Sequence, residues 1–349
     1  MTSCMLRPVR VALASAAMVL AAAALAGCSF QSEEKVWEIS GPIFGTSYHI
    51  NVVLTEDQSR LETLAAGIEA ELEKVDASMS TWRPDSELSN LNGADDQSEW
   101  IPLSDPLFEV LKRADEVASL TDGAFDVTIG PVVNLWGFGP EARPEQVPTD
   151  QELQAALALT GHDKLELRES PPAVRTVVPQ YIDLSAIAKG YGVDVVSRYL
   201  DSEGIEAYLV EIGGEVRVHG RKPGGDAWRL AIEQPMSEGR QVNRVVALES
   251  RAMATSGDYR NYYESDGRRY SHTIDPATGK PIGHNLASVT VIADNCMTAD
   301  ALATGFNVMG YERAEALATR ENIPAYFIIR TEGGFETHQT PAFSSFVTQ

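Results

Sequence analysis

The chain has 349 residues, in which 50 Asp and Glu outnumber 28 Lys and Arg to give a formal net charge of −22. That balance excludes a nucleic-acid partner, since no Lys/Arg cluster larger than a pair such as Arg268-Arg269 is present to neutralise phosphates. Of three cysteines, Cys4 and Cys28 fall within or at the end of an export segment, so Cys296 is left alone, and the roughly 320 residues that follow must bury a core without a disulfide.

Arg7 and Arg10 start the chain, residues 11 to 24 are almost all Ala, Val, Leu and Met, and the segment closes on Leu25-Ala26-Gly27-Cys28. These are the zones of a secretory signal ending in a bacterial lipobox. The apolar stretch is shorter than the ~20 residues that span a bilayer. We therefore expect residues 1–27 to be removed and Cys28 to carry lipid, with residues 28–36 as a tether. The protein would be lipid-anchored in a bacterial envelope, facing the periplasm or the outside. Residues 37–349 contain no long linker and no repeat, and read as one large unit or two closely packed lobes.

Leu61, Leu64, Ile68, Leu72 and Val75 recur at helical spacing behind Thr55 and Gln58, which have the form of a capping box. Ser104-Asp105-Pro106 opens a second helix with Leu107, Leu111, Ala114 and Ala118 on its stripe. Thr149 and Glu152 cap a third, and residues 185 to 201, 298 to 308 and 311 to 320 are helical in pattern. Strands are expected at 48–54, 207–212, 215–219, 227–233, 244–249, 287–293 and 325–330, with Gly213-Gly214 as a hairpin turn. The class is α+β. No GxGxxG follows an early strand, so a Rossmann dinucleotide site is not supported. The stretch from Pro140 to Pro179 carries no motif.

Four segments are richer in polar or small residues than connections require. In Thr298-Ala299-Asp300-Ala301-Leu302-Ala303-Thr304-Gly305, Thr298 reads as an N-cap, and Asp300 and Thr304 stand four apart on one face. A carboxylate and a hydroxyl so placed can share a hard cation, although a first-turn Asp more often serves the helix dipole. In Asp183-Leu184-Ser185-Ala186-Ile187-Ala188-Lys189-Gly190, Ser185 reads as the cap of a helix whose free N–H groups and Lys189 suit an anion; a capped surface helix is the plain alternative. Residues 254–260 and 270–276 place His272 among Ser, Thr and Asp as a candidate base. A hydrolase triad of Ser256, His272 and Asp275 has no GxSxG elbow to support it. Gly123 to Thr128 and Gly130 to Gly139 put glycines around aromatics, which suits either a flat ring or packed turns. Cys296 reads as a small buried apolar residue.

Taken in order, these segments resemble the ApbE family of FAD:protein FMN transferases. The resemblance is carried by Met79-Ser80-Thr81-Trp82 with Ser86-Glu87-Leu88-Ser89, Asp126-Val127-Thr128-Ile129-Gly130-Pro131, Asp183 to Lys189, Glu211-Ile212-Gly213-Gly214, Thr255-Ser256-Gly257-Asp258-Tyr259, Ser271-His272-Thr273-Ile274-Asp275-Pro276 and Ala299-Asp300-Ala301. It implies an α+β, T-fold-like domain of antiparallel sheets and packed helices that uses Mg²⁺ and takes FAD as substrate. It further implies Asp300, Thr304 and the carbonyl of Ala186 as metal ligands, and His272 as the base. Phe44, Trp82, Ala124, Phe125, Asp126, Asp183, Lys189 and Ile274 would be the FAD contacts. Two positions depart from the family pattern, Trp82 where Tyr is common and Phe44 where Met is common. The implied product is FMN esterified to a Thr or Ser hydroxyl of an exported or membrane flavoprotein, with AMP released. Two rivals remain: hydrolysis of FAD to FMN and AMP, and a lipid-anchored flavin-binding module without turnover.

Overall fold

The computed structural model describes residues 34–55, 58–140, 147–236, 239–257, 262–265 and 268–347. The expected signal segment and Cys28 lie outside these residues, as do Asp258, Tyr259 and Arg260. Eight strands form one antiparallel sheet whose spatial order is its chain order: β1 (Lys35–Ile43), β2 (Thr46–Leu54), β3 (Tyr208–Ile212), β4 (Glu215–His219), β5 (Arg251–Gly257), β6 (Leu286–Ala293), β7 (Ala325–Thr331) and β8 (Gly334–Gln339). Two-residue turns join β1 to β2 through Phe44-Gly45 and β3 to β4 through Gly213-Gly214. All four turn residues have positive φ, from 50° to 100°, as the right-handed strand twist demands of such short hairpins.

Five long helices are α1 (Gln58–Met79), α2 (Asp105–Leu120), α3 (Ala188–Ser202), α4 (Cys296–Met309) and α5 (Tyr311–Arg320). The stripe Leu64, Ile68, Leu72 of α1 packs with Val193, Val196 and Leu200 of α3 over Ile50, Val52, Val210 and Ile212. Each such side chain contributes roughly 1.5–3 kcal/mol by leaving water. Beside it, α2 and α4 cover Val289, Val291, Phe327 and the Val127–Leu184 region. The opposite face of the sheet shows Val216, Val218, Met253, Ile292, Tyr326 and Ile328, which pack under the hairpin Trp228–Glu233/Val242–Leu248 and Phe343. One consequence of strand alternation is that Glu215 and Arg217, opposite in direction to Val216 and Val218, lie on the helix-covered face.

The mixed α and antiparallel-β class agrees with the expectation, and the seven expected strands are present with end shifts of one or two residues. Two helix starts differ. Ser185 does not cap α3: the helix begins at Ala188 after Ile187, which offers no side-chain cap, and Ser185 Oγ instead donates to Asp183. Thr298 is not the N-cap of α4 either, because the helix starts at Cys296 and Asn295 accepts from the Thr298 N–H at 2.9 Å. The Thr149/Glu152 capping box is formed. A Thr55 cap would run through residues 56–57, which lie outside the described residues, while the Gln58 side chain donates to Glu62. The motif-poor stretch contains a helix, Asp150–Ala158, and two strands, Leu165–Glu169 and Pro172–Thr176, which pair with each other, Pro172–Thr176 also pairing with Ile101–Pro102 to make a small separate sheet. Among the described residues no helix is long and apolar enough to cross a membrane.

Candidate active site

The crossing of α3 and α4 is set by Gly190, where an added Cβ would sit 2.5 Å from the Cys296 carbonyl oxygen. At that close approach Asp194 Oδ1 accepts from Cys296 N–H at 2.9 Å and Oδ2 from Met297 N–H at 2.8 Å, so a neighbouring helix caps α4. Arg217 donates to the same carboxylate at 2.8 Å. One turn along α4, Asp300 is 4 % exposed and its Oδ2 accepts from Gly190 N–H at 3.0 Å. In an unbroken helix that donor would serve the carbonyl of Ala186. The helical ladder of α3 begins instead at Tyr191 N–H to Ile187, leaving Ala186 C=O outside it.

Lys189 precedes Gly190. Its Nζ donates to Glu215 Oε1 at 2.5 Å and stands 3.9 Å from Asp300 Oδ1. Glu215 is 4 % exposed and its Oε2 is buried without a hydrogen-bond partner. Burial lowers the affinity of Lys189 for its proton, but the charges of Asp300 and Glu215 outweigh it and hold the ammonium above its ordinary value. Burial pushes both carboxyls up, and for Glu215 the charge of Asp300 adds to the effect. Two buried acids therefore share one half-buried ammonium, and the cluster is short of positive charge.

That shortage, the hard oxygen donors and the freed Ala186 carbonyl fit a small divalent cation. Thr304, half-buried one turn after Asp300 on α4, supplies the hydroxyl of the expected set. Among the described residues no three His, Cys, Asp or Glu are grouped to hold a metal. The donors would be one carboxylate, a hydroxyl and a carbonyl, which suits Mg²⁺ completing its shell with water and phosphate oxygens.

The second arm joins residues 123–131 to residues 181–186, with Asp183 N–H donating to Val127 O at 2.7 Å. Asp126 is 8 % exposed; Oδ1 accepts from Thr128 N–H at 2.8 Å and Thr128 Oγ1 at 2.7 Å, and Oδ2 from His162 N–H at 3.0 Å. Burial nevertheless raises the Asp126 carboxyl above its ordinary range, these hydrogen bonds offsetting it only in part. Asp183 Oδ1 accepts from Ser185 N–H at 2.8 Å. Ala124 and Phe125 are buried, with Phe125 Cβ 3.2 Å from where a Gly305 Cβ would stand on α4.

A third group surrounds His272. Its ring meets Phe138 edge-on with centroids 6.4 Å apart, and Tyr270 lies 5.4 Å from Trp136, whose Nε1 donates to Gly279 O at 2.8 Å. The glycine-rich segment thus serves as packing for the 270–279 segment. Ile274 is buried with Val132, Trp136 and Leu153. Asp275 accepts from Ala277 N–H and Thr278 Oγ1 within its own turn, and Ser256 Oγ accepts from Asn307 Nδ2, partners outside a Ser256, His272, Asp275 triad. Phe44 lies in the β1–β2 turn with its ring against Gly192 of α3. Trp82 stands 70 % exposed beyond α1, on a turn whose Arg83 is paired to Glu73, Asp76 and Asp85. Cys296 is buried, and burial pushes its thiol well up, as suits an inert residue.

The structure thus joins Lys189, Asp300 and Ala186 through α3 and α4, and brings Asp126 beside Asp183. It adds Glu215, which sequence reading missed because Glu215-Val216-Arg217-Val218-His219 alternates like a half-exposed strand. The only sequence signal was its place directly after Gly213-Gly214.

A sequence model of the ApbE family matches residues 44–327. The chain belongs to the ApbE family. The FAD:protein FMN transferase of Vibrio cholerae is 48 % identical over 325 residues, covering 93 % of this chain and 96 % of its own. That of Haemophilus influenzae is 44 % identical over 335 residues, covering 93 % and 95 %. The solved flavin transferase ApbE from Vibrio cholerae superposes with a TM-score of 0.83 at 47 % identity, over 90 % of this chain and 100 % of that one. The ApbE match takes in all three arms described above, and also Glu215.

Proposed function

We propose that this ApbE-family enzyme is an FAD:protein FMN transferase that depends on Mg²⁺ and esterifies FMN to a Thr or Ser hydroxyl of an exported or membrane flavoprotein. The observation that carries the reading is the α3–α4 crossing, where Asp300 takes the Gly190 N–H, leaving the Ala186 carbonyl outside the helical ladder, and has its other oxygen 3.9 Å from the half-buried Lys189 ammonium. Relatives 48 % and 44 % identical over nearly their whole length bear the name of this activity.

Asp300, Thr304 and the Ala186 carbonyl would hold the metal, and Mg²⁺ bound there would supply positive charge to offset the pyrophosphate and ease the departure of AMP. Lys189 adds a fixed positive charge for the same anion. Phe44, Trp82 and the Ala124–Asp126 and Asp183 backbones bound the flavin and adenosine parts, with Ile274 as an apolar floor. His272 accepts the proton of the acceptor hydroxyl. Its oxygen bonds to the FMN phosphorus as the phosphorus–oxygen bond to AMP breaks, and AMP carries away the electron pair.

The reaction is tested by incubating the full chain in detergent with FAD, Mg²⁺ and an exported FMN-binding acceptor domain, then weighing the acceptor. A gain of one FMN less water, lost with chelator, is expected. FMN and AMP without an adduct would establish hydrolysis, and FAD recovered whole would refute turnover. The envelope location rests on Cys28, and mass spectrometry of the N-terminal peptide should find that cysteine acylated and residues 1–27 absent; an unmodified Cys28 would remove the anchor.

A further inference from the structure

We propose that Glu215 is a positioning residue: it holds the Lys189 ammonium as its own counter-ion and thereby keeps Asp300 Oδ1 open to a divalent cation. The inference rests on the reading of Asp300 as a metal ligand. Asp300 has two oxygens, and Oδ2 is already taken by Gly190 N–H at 3.0 Å. Only Oδ1 is left, and the nearest cation to it is Lys189 Nζ at 3.9 Å, beyond hydrogen-bond length. A small rotation of the flexible lysine stem would close that gap and occupy the carboxylate. What prevents it is the shorter bond, 2.5 Å, from Nζ to Glu215 Oε1.

The backbone is built to deliver that bond. Gly213 has φ +57°, and a Cβ there would fall 3.3 Å from Lys189 Cδ and 2.9 Å from Thr46 Cγ2. The turn therefore makes room for the lysine stem and, two residues later, places Glu215 against its end. A structural ion pair elsewhere in the same layer shows the contrast. Asp194 opposite Arg217 is saturated, with both oxygens also capping α4. Glu215 is less well served: Oε2 is buried without a hydrogen bond of ordinary geometry, and the Thr255 backbone offsets the burial of the carboxyl only in part.

The test is Mn²⁺ binding to the full chain in detergent, without flavin, followed by electron paramagnetic resonance, with circular dichroism melting as the check on folding. Glu215→Gln should weaken Mn²⁺ about tenfold, because Lys189 turns to Asp300. Lys189→Met should bind Mn²⁺ as tightly as the parent or tighter. The double variant Glu215→Gln/Lys189→Met should recover affinity to within about threefold of the parent, since no ammonium then competes for Asp300. Parent-like affinity in Glu215→Gln would overturn the proposal. A double variant as weak as Glu215→Gln would make Glu215 a ligand and overturn it as well. If Glu215→Gln does not fold, Lys189→Met alone decides, because weaker binding there contradicts competition. A well-folded parent chain that binds no Mn²⁺ would instead overturn the metal reading of Asp300, and this inference with it.

Discussion

Asp300 and Asp126 are both buried acids whose carboxyls are raised by burial, yet their surroundings assign them different work. Asp126 is closed on itself by Thr128 and His162, whereas Asp300 keeps one oxygen without a hydrogen bond. Asp300→Asn retains an acceptor for Gly190 N–H but loses the charge a cation needs. FMN transfer should fall by at least about 100-fold, while calorimetry should find a melting temperature unchanged or higher, because a desolvated charge has been removed. Loss of several degrees would make Asp300 a structural residue. For Asp126 the sign follows from linkage. Its folded carboxyl binds a proton more tightly than an unfolded Asp, so its stabilising contribution is fullest in acid. That contribution is lost as pH rises from the ordinary value of 3.8 through the folded one. The melting temperature of the parent minus that of Asp126→Asn should therefore fall as pH rises above the ordinary value of 3.8, and a rise would contradict the burial effect. Asp126, Asp183, Lys189 and Asp300 drew notice in the sequence because they sat in Gly-rich or helix-start contexts, whereas Phe44, Trp82, Ile274 and the Ala186 carbonyl came only from the family resemblance. Glu215 was not legible, because its role depends on which face of β4 the helices cover, and alternation alone does not tell which face that is.

At the scale of elements, long apolar stripes such as Leu64, Ile68 and Leu72 identified α1, and five of the eight central strands were found from their apolar runs, while β1, β5 and β8, mixed in polarity, were not expected. The caps of α3 and α4 were misassigned partly because donors at both starts are satisfied from distant segments, Gly190 N–H by Asp300 and Cys296 and Met297 N–H by Asp194, which local sequence cannot show. In α4 the local cap is Asn295, three residues before the Thr298 expected to do it. The small sheet was missed because its strands are two to five residues long, with charged residues throughout Leu165–Glu169. Gly190 is the element-level test, since the atom its Cβ would meet is a backbone oxygen that cannot swing aside. Gly190→Ala must part α3 from α4 and should destabilise the chain by about 1–3 kcal/mol in urea unfolding. The same shift breaks the bond to Asp300, so activity should drop in the surviving folded fraction. A variant with parent-like stability and rate would mean that the crossing is looser than its geometry implies.

Over the whole molecule the dominant fact is charge, with 50 acids against 28 bases on a protein whose proposed substrate is itself an anion. Among the described residues, three cations that could counter that field are each already paired. Lys189 is bound by Glu215, Arg217 by Asp194, and Arg83 beside Trp82 by three carboxylates. The long-range field should therefore slow the approach of FAD, and only contact with the metal and Lys189 would reverse the sign. Salt screens the long-range repulsion while leaving short buried contacts almost untouched. At fixed free Mg²⁺, raising NaCl from about 20 mM to about 200 mM should increase kcat/KM for FAD about two- to fivefold, with kcat nearly constant. An enzyme that draws its anion in by a basic funnel would lose rate over the same range. A fall in kcat/KM with salt would thus show that attraction, not repulsion, governs the approach of FAD, and would overturn this account of the field.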